Sequence, residues 1–266
     1  MFSVSSTPVR HVRLGTVPLT RRLPSQKIIT PSSRTGVQRL QAAAATDLKE
    51  QLISAILESR NQKDSFTAGL PPEAQKVIDQ MEAEAQNSKP KLIEEELLGN
   101  FDGVGSRIVA LDEAGTTSLG QASFQQFKPI DLQVKMIGGG TVTNRMSDKE
   151  PYAIISSFRV AEGEFEGVEA VQKAIAEWSI DEQDPAKMYV TFVRTQFEPK
   201  QKDAESVKRW KACFKEHNPG MDEDGIWSIK FDKGRKGHRD FVYVDKDFQV
   251  SKGNRGSWTV LERRPS

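Results

Sequence analysis

The sequence predicts a mainly β protein of the α+β class: a sandwich or barrel of short strands with meander connections, preceded by two amphipathic helices and interrupted by two helical inserts. Three observations carry that expectation. Up to residue 90 the apolar residues recur at helical spacing,. From Leu97 onward short apolar runs alternate with Gly, Asp and Pro, the spacing of an all-β layer,. With 266 residues, 36% aliphatic or aromatic and 28% charged, the chain can bury one sizeable core and still carry exposed length,.

Asp47 followed by Glu50 reads as a capping box, and Leu48, Leu52, Ile53, Ile56 and Leu57 then share one face of a helix over about 47–60,. The breaker Gly69-Leu70-Pro71-Pro72 puts a proline in the first turn of a second helix that ends near Asn87, with Val77, Ile78 and Met81 as its buried stripe,. Two such helices are marginal alone, so they must pack on the β domain C-terminal to them. Segments 106–111, 122–127, 130–137, 141–146, 152–160, 188–197, 226–231, 240–250 and 257–262 read as strands,. Between them, Val168, Val171, Ile175 and Trp178 share a face of one helical insert,. Val207, Trp210, Phe214 and His217 do the same in the second,.

The formal charge of +1 hides an asymmetry. Residues 1–46 hold no acidic residue but seven basic ones, many Ser and Thr, and Pro8, Pro18, Pro24 and Pro31, which leaves 31 basic against 37 acidic in the rest. A hydroxyl-rich, basic, acid-free start is the composition of an organelle transit peptide, and the dominance of hydroxyl residues favours a plastid. A basic tail gripping nucleic acid is the alternative, but the abrupt change after Ala42-Ala43-Ala44-Ala45 favours removal,. The expected organisation is therefore a disordered chloroplast transit peptide over 1–45, a helical pair over 46–90 and a β domain over 91–266. No apolar run approaches the roughly 18 residues of a membrane-spanning helix, so membrane contact is expected to be peripheral,.

Few residues suggest reactive chemistry. Cys213 is the single cysteine, and only His217 and His238 follow the N-terminal segment, so a zinc site of the usual type is not expected, nor a cofactor,. Cys213 and His217 stand at helical spacing, yet a small apolar residue on a helix face explains Cys213 more simply. Gly138-Gly139-Gly140 lacks the Lys-Ser/Thr of a phosphate loop and reads as a turn,. Met221-Asp222-Glu223-Asp224-Gly225 lacks the length and closing Glu of a calcium loop and reads as a solvated turn,. Lys233, Arg235, Lys236, Arg239, Lys252, Arg255, Arg263 and Arg264 form a basic cluster that suits anionic lipid head groups; an acidic remainder argues against nucleic acid,. Asp245 and Asp247, two apart, would point to one side of a regular strand, where the nearby Lys252 and Arg255 would keep them ionised and brace the hairpin,.

The stretch from Tyr243 to Ser257, Tyr-Val-Asp-Lys-Asp-Phe-Gln-Val-Ser-Lys-Gly-Asn-Arg-Gly-Ser, resembles the last hairpin of the plastid lipid-associated proteins, or fibrillins. The matching positions are Tyr243, Asp245, Asp247, Ser251, Lys252, Gly253, Arg255 and Gly256, with Gln249 and Lys252 standing where the family carries arginines. The helical pair is similar to the family's opening helices, and Leu97-Leu98-Gly99-Asn100-Phe101 stands where its barrel begins, with Phe101 in place of a Trp. The resemblance implies a lipocalin-like antiparallel β-barrel in the chloroplast, at thylakoids or plastoglobules or in the stroma. It implies a lipid or isoprenoid-type ligand, with Phe101, Val242, Val244, Phe248 and Val250 as cavity lining if the register is regular. No catalytic residue and no metal are expected. Two other classes stay open: a thylakoid interaction or assembly factor with a filled barrel, and a lipocalin-like enzyme acting on a pigment or quinone.

Overall fold

The computed structural model describes residues 36–62, 70–107, 115–122, 132–137, 140–144, 152–214 and 220–265. Its strands are β1 (Gly99–Arg107), β2 (Thr116–Ser118), β3 (Gln133–Met136), β4 (Thr141–Asn144), β5 (Tyr152–Val160), β6 (Glu169–Ile180), β7 (Lys187–Pro199), β8 (Trp227–Val244), β9 (Phe248–Gly253) and β10 (Trp258–Arg263). All pairings are antiparallel, and the order β5-β4-β1-β10-β9-β8-β7-β6 returns to β5, closing a barrel of eight strands. This is the mainly β, lipocalin-like barrel with helices that the sequence predicts. The short ribbon β2-β3 extends the same edge of β5 beyond β4, with Val134 opposite Val160.

Among the described residues five helices accompany the barrel: α1 (Gly36–Gln62), α2 (Pro72–Asn87), α3 (Glu94–Leu97), α4 (Leu119–Ala122) and α5 (Ala204–Ala212). Pro71 precedes α2 in extended conformation, as a proline before the first turn should,. The first helix begins well before Asp47, so Asp47 is not its N-cap. The Gln41-Ala42-Ala43-Ala44-Ala45 run has the highest intrinsic helix propensity available and carries the helix through it,. Of the expected transit segment, residues 1–35 lie outside the described residues, while the backbone from Gly36 is helical. Leu48, Leu52 and Ile56 of α1 and Ala74, Ile78 and Met81 of α2 pack on Phe248, Val250, Trp258 and Val260. Leu57, expected on that face, is half exposed.

One interaction fixes which face of the barrel is inside. Arg239 on β8 donates from Nη1 to the Tyr152 hydroxyl on β5 at 3.1 Å, although these strands are not neighbours in the ring. The two side chains meet across the lumen. Opposed residues in an antiparallel ladder share a face, so the register carries this assignment around the ring. Val142 lies opposite both Phe101 and Ile154, Tyr152 opposite Ala176, Val190 opposite Trp178, and Phe241 opposite Ser251. The helical pair therefore covers the outer wall of β9 and β10, whose inward residues include Gln249, Ser251, Leu261 and Arg263.

Both ends of the lumen are closed by side chains. At one end Leu92 and Leu97 join Phe101, Tyr152, Met188, Phe241 and Leu261 in a buried cluster. Arg263, stacked over the Phe101 ring at 4.5 Å, donates to the carbonyls of Glu96 (2.9 Å), Leu98 (2.6 Å) and Lys246, holding the α3 segment across the opening. At the other end α5 brings Trp210 and Phe214 against Phe158, Phe197 and Trp227. Trp210 is fully buried, and its indole N–H donates to the Gly225 carbonyl at 2.9 Å.

Several sequence expectations are corrected. The first helical insert is strand β6: its Ala, Glu and Lys residues suit a helix locally, but pairing with β5 and β7 on both edges overrides that preference,. Segments 226–231 and 240–250 do not form separate strands as drawn. They are joined by Asp232 to Arg239 into the 18-residue β8, which ends at Val244. The first strand starts at Gly99, running through Asp102-Gly103-Val104-Gly105 with a bulge. Gly105 lets the helical pair approach closely there, since a Cβ would stand 2.9 Å from Ile56 Cδ1 of α1 and 3.0 Å from Leu70 Cδ2. The expected strand 122–127 lies outside the described residues beyond Ala122, as do His217 and the Gly138-Gly139 turn.

Candidate ligand site inside the barrel

Between the two filled ends the lumen changes character. Gln172 and Thr195 are buried and face each other across β6 and β7, with Gln172 Nε2 at 3.4 Å from Thr195 Oγ1. Ser156 lies opposite Gln172. Around this polar belt several inward-facing residues keep part of their surface: Ile154, Ser156, Phe192 and Gly237 are half-buried, whereas the aromatic residues at either end are buried. A side chain that points into a closed barrel retains accessible surface only if space is left within it. The middle of the lumen is where a ligand could be held.

Arg239 stands where that region meets the filled end, beside Tyr152, Met188 and Phe241. Its Nε and Nη2 donate to Ser251 Oγ at 2.9 and 2.6 Å, its Nη1 to Tyr152, and its guanidinium lies 5.0 Å from the Phe241 ring centroid. Tyr152 and Ser251 are buried, and the arginine is half-buried. Asp240, its chain neighbour, faces outward and pairs with Lys187 at 3.6 Å and His238 at 3.3 Å.

The residues singled out by sequence divide between three places. Phe101 and Val244 lie with the inward cluster, and Ser251 joins them through Arg239. Val242, Phe248 and Val250 instead face α1 and α2 on the outer wall. The expected regular alternation fails for two physical reasons: a register shift between Phe241 and Tyr243, and a turn at 245–247 that separates β8 from β9. Gly253, Arg255 and Gly256 belong to the β9–β10 turn, closed by Gly253 and Gly256 amides donating to Ser257 and Gly253 carbonyls at 2.8 Å. Arg255 is exposed.

Asp245 and Asp247 do not share a strand face, and Lys252 and Arg255 are not their partners. Asp245 Oδ1 accepts from the amides of Asp247 (2.8 Å) and Phe248 (2.7 Å), and its Oδ2 from Lys49 Nζ (2.7 Å) and the Tyr243 hydroxyl (2.9 Å). Burial alone would raise its pKa, but donation from Lys49, the Asp247 amide and Tyr243 together hold the carboxyl below its usual value,. Burial, and then the neighbouring carboxylate, push the Tyr243 phenol upward. Asp245 is thus an ionised cap that ties a turn to α1. Asp247 is exposed beside Lys246 at 3.6 Å, and Lys252 pairs with Glu82 of α2 at 2.7 Å while lying over Trp258.

The basic cluster also separates. Arg239 and Arg263 point inward, Arg264 pairs with Asp102 at 2.5 Å, and Lys252 holds α2. Lys233, Arg235, Lys236 and Arg255 are exposed. The first three lie where β8 outruns β9, whose pairing begins only at Arg239. Asn254 of the turn carrying Arg255 donates its amide to the His238 carbonyl at 3.1 Å, so these cations border the same rim.

Other candidates resolve simply. The 221–225 segment is an exposed turn in which Asp222 Oδ1 accepts from the Ile226 amide at 2.8 Å. Cys213 packs partly buried beside Trp210, and burial pushes its thiol up to about 11. Among the described residues no group of three His, Cys, Asp or Glu side chains could hold a metal ion.

Sequence reasoning placed Arg239 in a surface cluster and passed over Tyr152. The available signal was Phe241, two residues from Arg239 and therefore on its face, against Val242 and Val244 on the opposite alternation. No protein-family model, no curated protein and no solved structure matches this chain.

Proposed function

We propose that the chain is a plastid lipid-associated, fibrillin-like protein that holds one hydrophobic small molecule or lipid in its barrel without acting on it chemically, at the surface of thylakoids or plastoglobules. The observation that carries the binding is the accessible surface left on inward-facing Ile154 and Phe192 between two filled ends. Support for a peripheral membrane position comes from Lys233, Arg235, Lys236 and Arg255 at one rim. Each such cation near an anionic bilayer contributes roughly 1 kcal/mol of attraction. The acid-free basic N-terminal segment supports plastid targeting,.

A second reading has a specific observation in its favour. Leu92, Leu97 and the α3 segment close one end, and Trp210 and Phe214 the other, as in a barrel whose lumen is its own core and whose helices serve a partner. Organic extraction of the purified protein, followed by mass analysis, separates the two. A reproducible co-purifying isoprenoid or acyl lipid is expected; protein that stays empty when offered thylakoid lipid extract favours the assembly factor. Import into isolated plastids is expected to shorten the chain to near Ala45, and an unshortened product counts against the targeting.

A further inference from the structure

The interior arginine is unbalanced in two ways. Among the described residues its charge meets no carboxylate: Asp102, Glu169, Glu177, Glu198, Asp240 and Glu262 all occupy outward registers of the barrel strands. Its hydrogen bonds also end on the wrong kind of partner. Three of its N–H groups are taken by two hydroxyl oxygens, Ser251 Oγ and Tyr152 Oη, leaving one hydrogen on each terminal nitrogen,. Because both hydroxyls act as acceptors, their own hydrogens remain, and among the described residues none of these hydrogens meets an acceptor. A half-buried cation and buried donors left this way are costly unless something supplies the missing acceptor,.

We infer that Arg239, Tyr152 and Ser251 form a binding site for the carboxylate of a single-chain amphiphile, a long-chain free acid whose apolar tail occupies the middle of the lumen. The two spare guanidinium hydrogens suit the paired oxygens of a carboxylate, and the two hydroxyls donate to the same group. The walls select a monoanion attached to hydrocarbon. Phe101, Met188, Phe241 and Leu261 surround the polar group in one buried cluster, and Ile154 and Phe192 offer apolar surface beyond it. A dianionic phosphate would leave a second, unpaired charge among these residues. The site deepens the proposed ligand-binding role and rests on it.

The test uses the full chain, with palmitate, methyl palmitate and hexadecanol as probes, and dissociation constants measured for the wild type, Arg239→Met and Tyr152→Phe. Charge-assisted hydrogen bonds of this kind correspond to a preference for palmitate over its ester of about ten- to a hundredfold. Arg239→Met should abolish that preference. Tyr152→Phe keeps the shape of the wall, removes one donor and should weaken palmitate several-fold while leaving the ester unchanged, so the inference stays testable if the arginine variant does not fold. Equal affinity of the wild type for all three probes overturns the carboxylate site but leaves a hydrophobic binder. An undiminished preference in Tyr152→Phe or Arg239→Met also overturns it. Inorganic phosphate at millimolar concentration should not displace palmitate, and displacement would reassign the site to phosphate. Failure of all three probes to bind sinks the binding role as well.

Discussion

Removing the Asp245 carboxylate should loosen the attachment of the N-terminal helix to the barrel, and the size of the effect follows from what it holds. The carboxylate caps two turn amides, accepts from a partly buried phenol and pairs with Lys49 of α1 at 2.7 Å. A lost cap costs on the order of 1 kcal/mol, as does each of the phenol and ammonium contacts in a half-exposed setting, so Asp245→Ala should destabilise by about 3 kcal/mol. Asn can still accept from the turn amides, so Asp245→Asn should cost about half as much. The pH dependence has a definite sign. The folded-state pKa lies below the ordinary aspartate value of about 3.9, so the stabilisation is fully present above that value and is lost as pH falls through the folded pKa,. Urea unfolding at pH 7 should separate wild type from Asp245→Asn, and the gap should narrow once pH falls below the ordinary aspartate value,. A Lys49→Met double-mutant cycle at pH 7 should give a coupling near 1 kcal/mol. Zero coupling, or a gap that persists unchanged at pH 3, would refute the assignment of Asp245 as an ionised clamp.

Three further outcomes are expected. Trp210→Ala removes a fully buried indole that touches Phe158 and Phe214 and should cost about 3–5 kcal/mol in urea unfolding; a loss under 1 kcal/mol would mean that α5 does not seal the barrel,. Cys213, with its thiol pushed up to about 11 by burial, should react with iodoacetamide far more slowly at pH 8 in the folded protein than in urea, and equal rates would contradict that burial,. Gly225→Ala should destabilise by about 1–3 kcal/mol, because φ is +74° and the new Cβ would sit 3.1 Å from Trp210 Cδ1; an unchanged unfolding midpoint would refute it,.

Legibility in the sequence followed the range of the forces involved. The second helix, the 152–160 strand and the final hairpin rest on local chemistry: a proline at the first turn, period-two alternation, a Gly-Asn-Arg-Gly turn. The helix, the strand and the Gly-Asn-Arg-Gly turn stand where local reasoning puts them, whereas the hairpin's first strand starts only at Phe248, after a turn inside the expected 240–250 strand. In β6 the helical spacing of Val168, Val171, Ile175 and Trp178 points to a helix, and pairing with two neighbouring strands makes the segment a strand instead. The basic, glycine-rich 233–238 stretch has no apolar alternation to announce a strand, and β7 imposes one on it. The candidate site was the least legible, since its assembly needs one register shift. With a regular strand, Val242 and Val244 would share the inside; with the shift near Phe241, the inward set becomes Arg239, Phe241 and Val244.

That shift also separates two roles which the sequence blends in one stretch. Within the stretch that carries the family resemblance, Asp245 fastens to Lys49, Lys252 to Glu82, and the intervening Phe248 and Val250 lie beneath the helical pair. Conserving such residues in a relative would preserve the docking of helices on a barrel whatever the barrel holds. Ser251 is the exception, because it turns inward and meets Arg239, a residue outside the resembling stretch. Ligand chemistry in this chain therefore has to be argued from the Arg239 side of β8, and a substitution on the helix-facing side of β9, such as Val250→Ala, should lower stability while leaving the acid-over-ester preference intact. Loss of that preference without loss of stability in Val250→Ala would show that the outer wall, too, shapes the lumen.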